Sequence, residues 1–65
     1  MKLTEFKDYI SQEPVYINPE HVSALCADKY NTGVTIMYLI FGKKVNVQGD
    51  LDMVLLKLQG KMEDG

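Results

Sequence analysis

Between Val34 and Phe41 the chain reads VTIMYLIF, an eight-residue run without a charge. A strand with one face on a core and the other in water alternates apolar with polar residues. Here Val34, Ile36, Tyr38 and Ile40 fall on one face and Thr35, Met37, Leu39 and Phe41 on the other, so both faces carry apolar groups. Gly42 with Lys43 turns the run back into KVNV, where Val45 and Val47 point inward and Asn46 outward. Whatever the chain folds into must supply cover for a strand of this kind.

Few means of doing so exist in 65 residues. A chain of this length is one domain near the lower limit at which a hydrophobic core stabilises a fold unaided. Cys26 is the only cysteine, which excludes an intrachain disulfide, and one cysteine with one histidine cannot complete a structural zinc site. Oligomerisation is the helper that remains. A hydrophobic fraction of 46% beside 25% charged residues is that of an ordinary globular protein and not of a disordered one.

The remaining punctuation marks short elements. TEFKDYI supports two readings: Leu3 and Glu5 alternate with Lys2, Thr4 and Phe6 as in an edge strand, and Thr4 with Phe6, Tyr9 and Ile10 also fits a capped helical turn or two. Gln12, Glu13 and Pro14 interrupt it, and PVYI then reads as a short strand. In NPEHV, Asn18 suits an N-cap, Pro19 the first helical position and Glu20 the positive helix end, which makes one helical turn. Val22 to Ala27 resumes an extended course, and Asp28, Asn31 and Gly33 form a turn cluster leading into the long strand. Gly49 and Asp50 end the sheet and open a helix in which Leu51, Val54, Leu55 and Leu58 make one apolar stripe. Asp52 near its start and Lys57 and Lys61 near its end match the macrodipole, and Gly60 stops it.

The expected fold is α+β: a small antiparallel β-meander of about four strands, with a C-terminal amphipathic helix packed on one face. Residues 1–60 form the domain and 61–65 a frayed tail. The helix covers one face of the long strand, which leaves the other. Folding of Phe6, Tyr9 and Ile10 over that face is the intramolecular solution; self-association, with a two-fold dimer as the commonest form, is the intermolecular one. The second reading makes Met37, Leu39 and Phe41 an interface, with Met53 and Leu56 contributing from off the helix stripe.

Chemistry finds little to work with. His21 beside Glu20 has no partner at a recognisable spacing and reads as a surface residue on a turn. Cys26, five residues later, reads as a buried apolar cysteine rather than a nucleophile. Asp50 and Asp52 are accounted for by capping, and GDLD lacks the ligand spacing of a calcium loop. Neither YNTG nor FGKK is a phosphate cradle. No enzymatic activity and no cofactor are expected. Seven lysines, nine carboxylates and no arginine give a net charge of −2, which disfavours nucleic acid. The alternative reading nonetheless is a small nucleic-acid-binding regulator using Lys43, Lys44 and exposed tyrosines such as Tyr16 and Tyr30; Tyr38, which could also stack a base, reads as a core residue. MKLTEFKDYI has no apolar signal region, and no stretch approaches the length of a membrane helix, so a cytoplasmic protein of the interaction or accessory type is expected.

KLT at the opening, VYINPEHVSAL, VTIMYLIFGKKVNV and GDLDMVLLKL together resemble the FlbD-like family of small flagellar accessory proteins. The resemblance runs from Lys2 to Leu58. It departs at TEFKDYISQEP, where that family has a tight Asn-Gly turn, and at Gly49 and Asp50, where the family has an acidic-serine word. It implies a non-enzymatic regulatory or assembly accessory protein and carries over no catalytic residue. A small phage or mobile-element protein of the same architecture is equally compatible.

Overall fold

The ambiguous N-terminal segment is a strand. In the computed structural model, which describes residues 2–60, β1 (Thr4–Lys7) pairs antiparallel with β2 (Pro14–Ile17), Phe6 facing Val15 and Thr4 facing Ile17. A six-residue turn joins them. The Asp8 carboxylate accepts the backbone N–H groups of Ile10 and Ser11 at 2.8 and 3.0 Å, and Gln12 N–H donates to the Asp8 carbonyl at 2.8 Å. Local side-chain capping of this kind lets a polar loop satisfy its own backbone.

A single 3-10 turn follows at Pro19–His21, capped as its sequence predicts: the Asn18 side chain accepts the Glu20 N–H at 3.0 Å. Then come β3 (Val22–Ala27), β4 (Val34–Leu39), β5 (Lys44–Gln48) and α1 (Leu51–Leu58). β3, β4 and β5 form a three-stranded antiparallel meander in that order, with Leu25 opposite Met37 and Met37 opposite Val45. The α+β class and the helix on one sheet face are as expected. Among the described residues the strands number five, however, and lie in two sheets, because the turn at Asp8 returns β1 onto β2. The two sheets meet where Asp8 bridges Val47 and Tyr9 N–H donates to the Asn46 carbonyl at 2.8 Å.

β4 ends at Leu39, two residues earlier than its apolar run. Gly42 N–H donates to the Leu39 carbonyl, Leu39 N–H donates to the Lys43 carbonyl, and Gly42 takes φ +80°. This is a three-residue hairpin loop whose left-handed position requires glycine. Ile40 and Phe41 therefore sit at the apex of a turn.

The core is Phe6, Ile17, Met37, Val47 and Val54, one side chain from each of β1, β2, β4, β5 and α1. Val15, Val22, Leu25, Leu39, Val45 and Leu58 close around it, half-buried. Burying a side chain of this size contributes about 1.5–3 kcal/mol. Hairpin and helix thus cover the same face of β4, the one bearing Thr35, Met37 and Leu39. On the opposite face Val34 is buried at the strand's start, Ile36 is half-buried and Tyr38 is exposed. The Thr35 hydroxyl, buried with the core, donates to the Gly49 carbonyl at 2.9 Å. Residues 61–65, expected as a frayed tail with Lys61 at the helix end, lie outside the described residues.

Candidate interaction surface

Of the five residues expected to form an interface, Met37 is the one the fold withdraws completely: it has no exposed surface and lies at the centre of the core. The reason is the N-terminal hairpin, whose Phe6 and Ile17 occupy the space a partner would have filled. Leu39 is half-buried against the same core. Phe41 is 70% exposed at the β4–β5 turn, where its ring meets the His21 ring edge-on at 5.1 Å. Met53 and Leu56 are exposed on α1, at 49% and 42%. The five therefore do not form one sheet face.

The helix also exposes apolar side chains, at Met53, Leu55 and Leu56. Six of the eight residues in LDMVLLKL are apolar, and only Val54 is buried. α1 begins at Asp50, whose extended backbone occupies the N-cap position and whose carbonyl accepts the Val54 N–H at 2.9 Å; its side chain makes no capping bond. Gly60, at φ +73°, ends the helix, donating its N–H to the Lys57 carbonyl at 3.1 Å. Leu51 and Leu58 are half-buried, and Leu55, 43% exposed, flanks them on the side of β3. A helix apolar around most of its circumference is normally an interior helix. Between α1 and β3 runs an open groove lined by Val22, Ser23, Ala24, Leu25, Leu51 and Leu55.

The residues considered for chemistry are dispersed. His21 is half-buried rather than on the surface, held between the Phe41 ring and the Asn18 amide, whose Nδ2 lies 3.5 Å from Nε2. Cys26 is exposed, the reverse of its expected burial, because the register places it on the open sheet face opposite Ile36. Five residues of strand, roughly 15 Å, separate it from His21, too far for a nucleophile and its base. Among the described residues no three His, Cys, Asp or Glu side chains are grouped to hold a metal ion.

Asp28 opens the β3–β4 turn, and its carboxyl is held below its ordinary range. The Tyr30 backbone N–H donates to it at 2.8 Å and the Asn31 amide at 3.1 Å, and these bonds hold its pKa down. The bonds are those of an Asx turn and stabilise the loop. Tyr16 lies on β2, Tyr30 in the β3–β4 loop and Tyr38 on β4, all exposed; Tyr38 is outside the core and faces Lys44 across the ladder. Lys43 lies in the adjoining turn, and Tyr30 has the Lys29 ammonium 5.4 Å from its ring centre. Among the described residues no helix is long and apolar enough to cross a membrane. The chain matches no family model, no curated protein and no solved structure.

Proposed function

We propose that this chain is a non-catalytic interaction protein that self-associates as a homodimer through the apolar surface of α1 and acts as an accessory component, in a cytoplasmic setting, of a bacterial or phage system. The observation that carries the reading is a helix of eight residues with six apolar side chains of which only Val54 is buried. Exposed apolar surface that is contiguous on a small protein generally marks a partner. The chain's size favours the same conclusion, since association supplies burial that 65 residues alone do not. An accessory role is also what the likeness to the FlbD-like family implies, and the exposed thiol of Cys26 suits a reducing compartment.

Light scattering behind size exclusion, over a dilution series, tests it. The expected mass is twice 7.4 kDa at high concentration. Leu55→Glu, at an exposed position, is expected to return the mass to that of one chain with the circular dichroism unchanged. A single-chain mass at every concentration overturns the proposal.

A further inference from the structure

The three-stranded sheet has two edges, and they differ. Beside β5, Asp8 and Tyr9 of the N-terminal hairpin occupy part of the ladder. Beside β3 no strand is paired among the described residues. Natural sheets guard such edges with charge, proline or very short strands. The free edge of β2 follows this rule, being four residues long and starting with Pro14. β3 is VSALCA: six residues, no charge and no proline, with one irregularity between Val22 and Ala24 that leaves Ala24 to Ala27 regular.

The register fixes which backbone groups this edge presents. Asp28 N–H donates to the Val34 carbonyl at 2.9 Å, and hydrogen-bonded pairs alternate along an antiparallel ladder. Cys26 with Ile36 and Ala24 with Tyr38 are thus the bonded pairs, and Leu25 and Ala27 turn their N–H and C=O groups outward.

We propose that a second copy of this chain adds to this edge, β3 against β3 antiparallel about a two-fold axis at Cys26, giving a continuous six-stranded sheet. The inference rests on the self-association proposed above and specifies its geometry. Leu25 of each copy exchanges both backbone bonds with Ala27 of the other, which uses only residues beyond the irregularity. A register centred on Leu25 would instead require Ser23, which lies inside it.

A copy of the same chain is the occupant for three reasons. An uncharged strand laid against itself brings no like charges together, whereas a charged peptide would find no complementary group on β3. Because α1 packs over β3 and β4 on one sheet face, the two-fold axis also brings the two helices to the same side of the joined sheet. Leu51 and Leu55 of one copy then fill the groove beside the other's β3, where an added single strand would leave them exposed. Finally, a standard dimer interface takes about 800 Å² from each partner, roughly a sixth of the 4744 Å² surface of this chain, so a stable dimer needs the helix flank as well as the strand edge, and a second copy brings both.

The axis sets Cys26 opposite its own copy in a non-hydrogen-bonded pair, with Cα atoms about 4.5 Å apart, inside the roughly 4.4–6.8 Å range that a disulfide spans. The single native cysteine therefore reports the register. The full chain, held at a concentration where light scattering finds the dimer, is treated with diamide and followed on a non-reducing gel. Rapid conversion to a covalent dimer through Cys26 is expected. In a Cys26→Ser background, Ala24→Cys or Ala27→Cys places the thiol opposite a different residue, and cross-linking at least tenfold slower is expected. Ala27→Pro removes only an outward N–H, so the fold should persist while the mass falls to one chain. A dimer that cross-links no faster through Cys26 than through the moved thiols overturns the β3 geometry and leaves self-association standing. A chain that is monomeric throughout overturns both.

Discussion

Gly49 is held from several directions at once. Its N–H donates to the Gly33 carbonyl at 2.7 Å, its own carbonyl accepts the Thr35 hydroxyl at 2.9 Å, and its φ of +132° is open to glycine and strained for any other residue. An added Cβ would also stand 3.3 Å from Cγ2 of Val54. Gly49→Ala is expected to cost about 1–3 kcal/mol in urea denaturation, from strain at that backbone position. Asp28 shows the same local logic in its ionisation. Its folded pKa is depressed chiefly by the Tyr30 N–H and then by the Asn31 amide. The carboxylate therefore contributes stability at pH above its unfolded value of about 3.9, and that contribution is lost as pH falls through the lower folded value. A carboxyl NMR titration should place the Asp28 midpoint below the ordinary aspartate value, and Asn31→Ala should move it back upward. That Asp28 belongs to a turn was legible in the sequence. That Cys26 and Tyr38 face solvent was not, because composition favours burial of both residue types and only the strand register decides their face.

At the scale of elements, the N-terminal segment shows where pattern reading reaches its limit. TEFKDYI carries both a period of two and a helical spacing, and over so few residues neither excludes the other. Pairing with Pro14–Ile17 selects the strand, and that pairing depends on the turn between them. Gln12 is the one described non-glycine residue with positive φ, at 64°, and its side chain donates to the Tyr9 carbonyl at 2.7 Å. A left-handed conformation costs a residue with a Cβ about 1–2 kcal/mol. With the lost side-chain bond and the greater entropy of unfolded glycine set against this, Gln12→Gly is expected to raise stability by about 0.5 kcal/mol, measurable as an increased urea midpoint at unchanged slope. The long strand was legible as a strand, but its length was not. Its last apolar residues, Ile40 and Phe41, belong to the turn, which the sequence placed at Gly42 and Lys43 and the structure begins two residues earlier.

Across the whole molecule, one hydrophobic centre joins the helix to the strands: β1, β2, β4 and β5 each give it a buried side chain, and β3 packs Val22 and Leu25 against it. Met37 lies at that centre, and Met37→Ala is expected to cost about 2–5 kcal/mol, much of the stability of so small a domain. Phe41→Ser, at the exposed turn, should change it by no more than about 0.5 kcal/mol. Paired denaturation curves of these two variants separate the core from the surface among residues that the sequence placed together on one strand face. If the chain dimerises, the midpoint should also rise with protein concentration, because association and folding are then linked.

By itself the sequence determined the α+β class, the Asn18-capped turn, the meander that ends in an apolar helix, and the want of internal staples. Each of these follows from local backbone preference or from periodicity, which neighbouring residues settle among themselves. Tertiary structure decided which face of β4 is core and what covers it. The N-terminal hairpin and α1 close on the Thr35, Met37 and Leu39 face together, so the sheet face expected to be open is covered, while Met53, Leu55 and Leu56 of the helix stay exposed. That outcome turns on contacts between Phe6, Met37 and Val54, far apart in the chain, whose burial no short window of sequence can register.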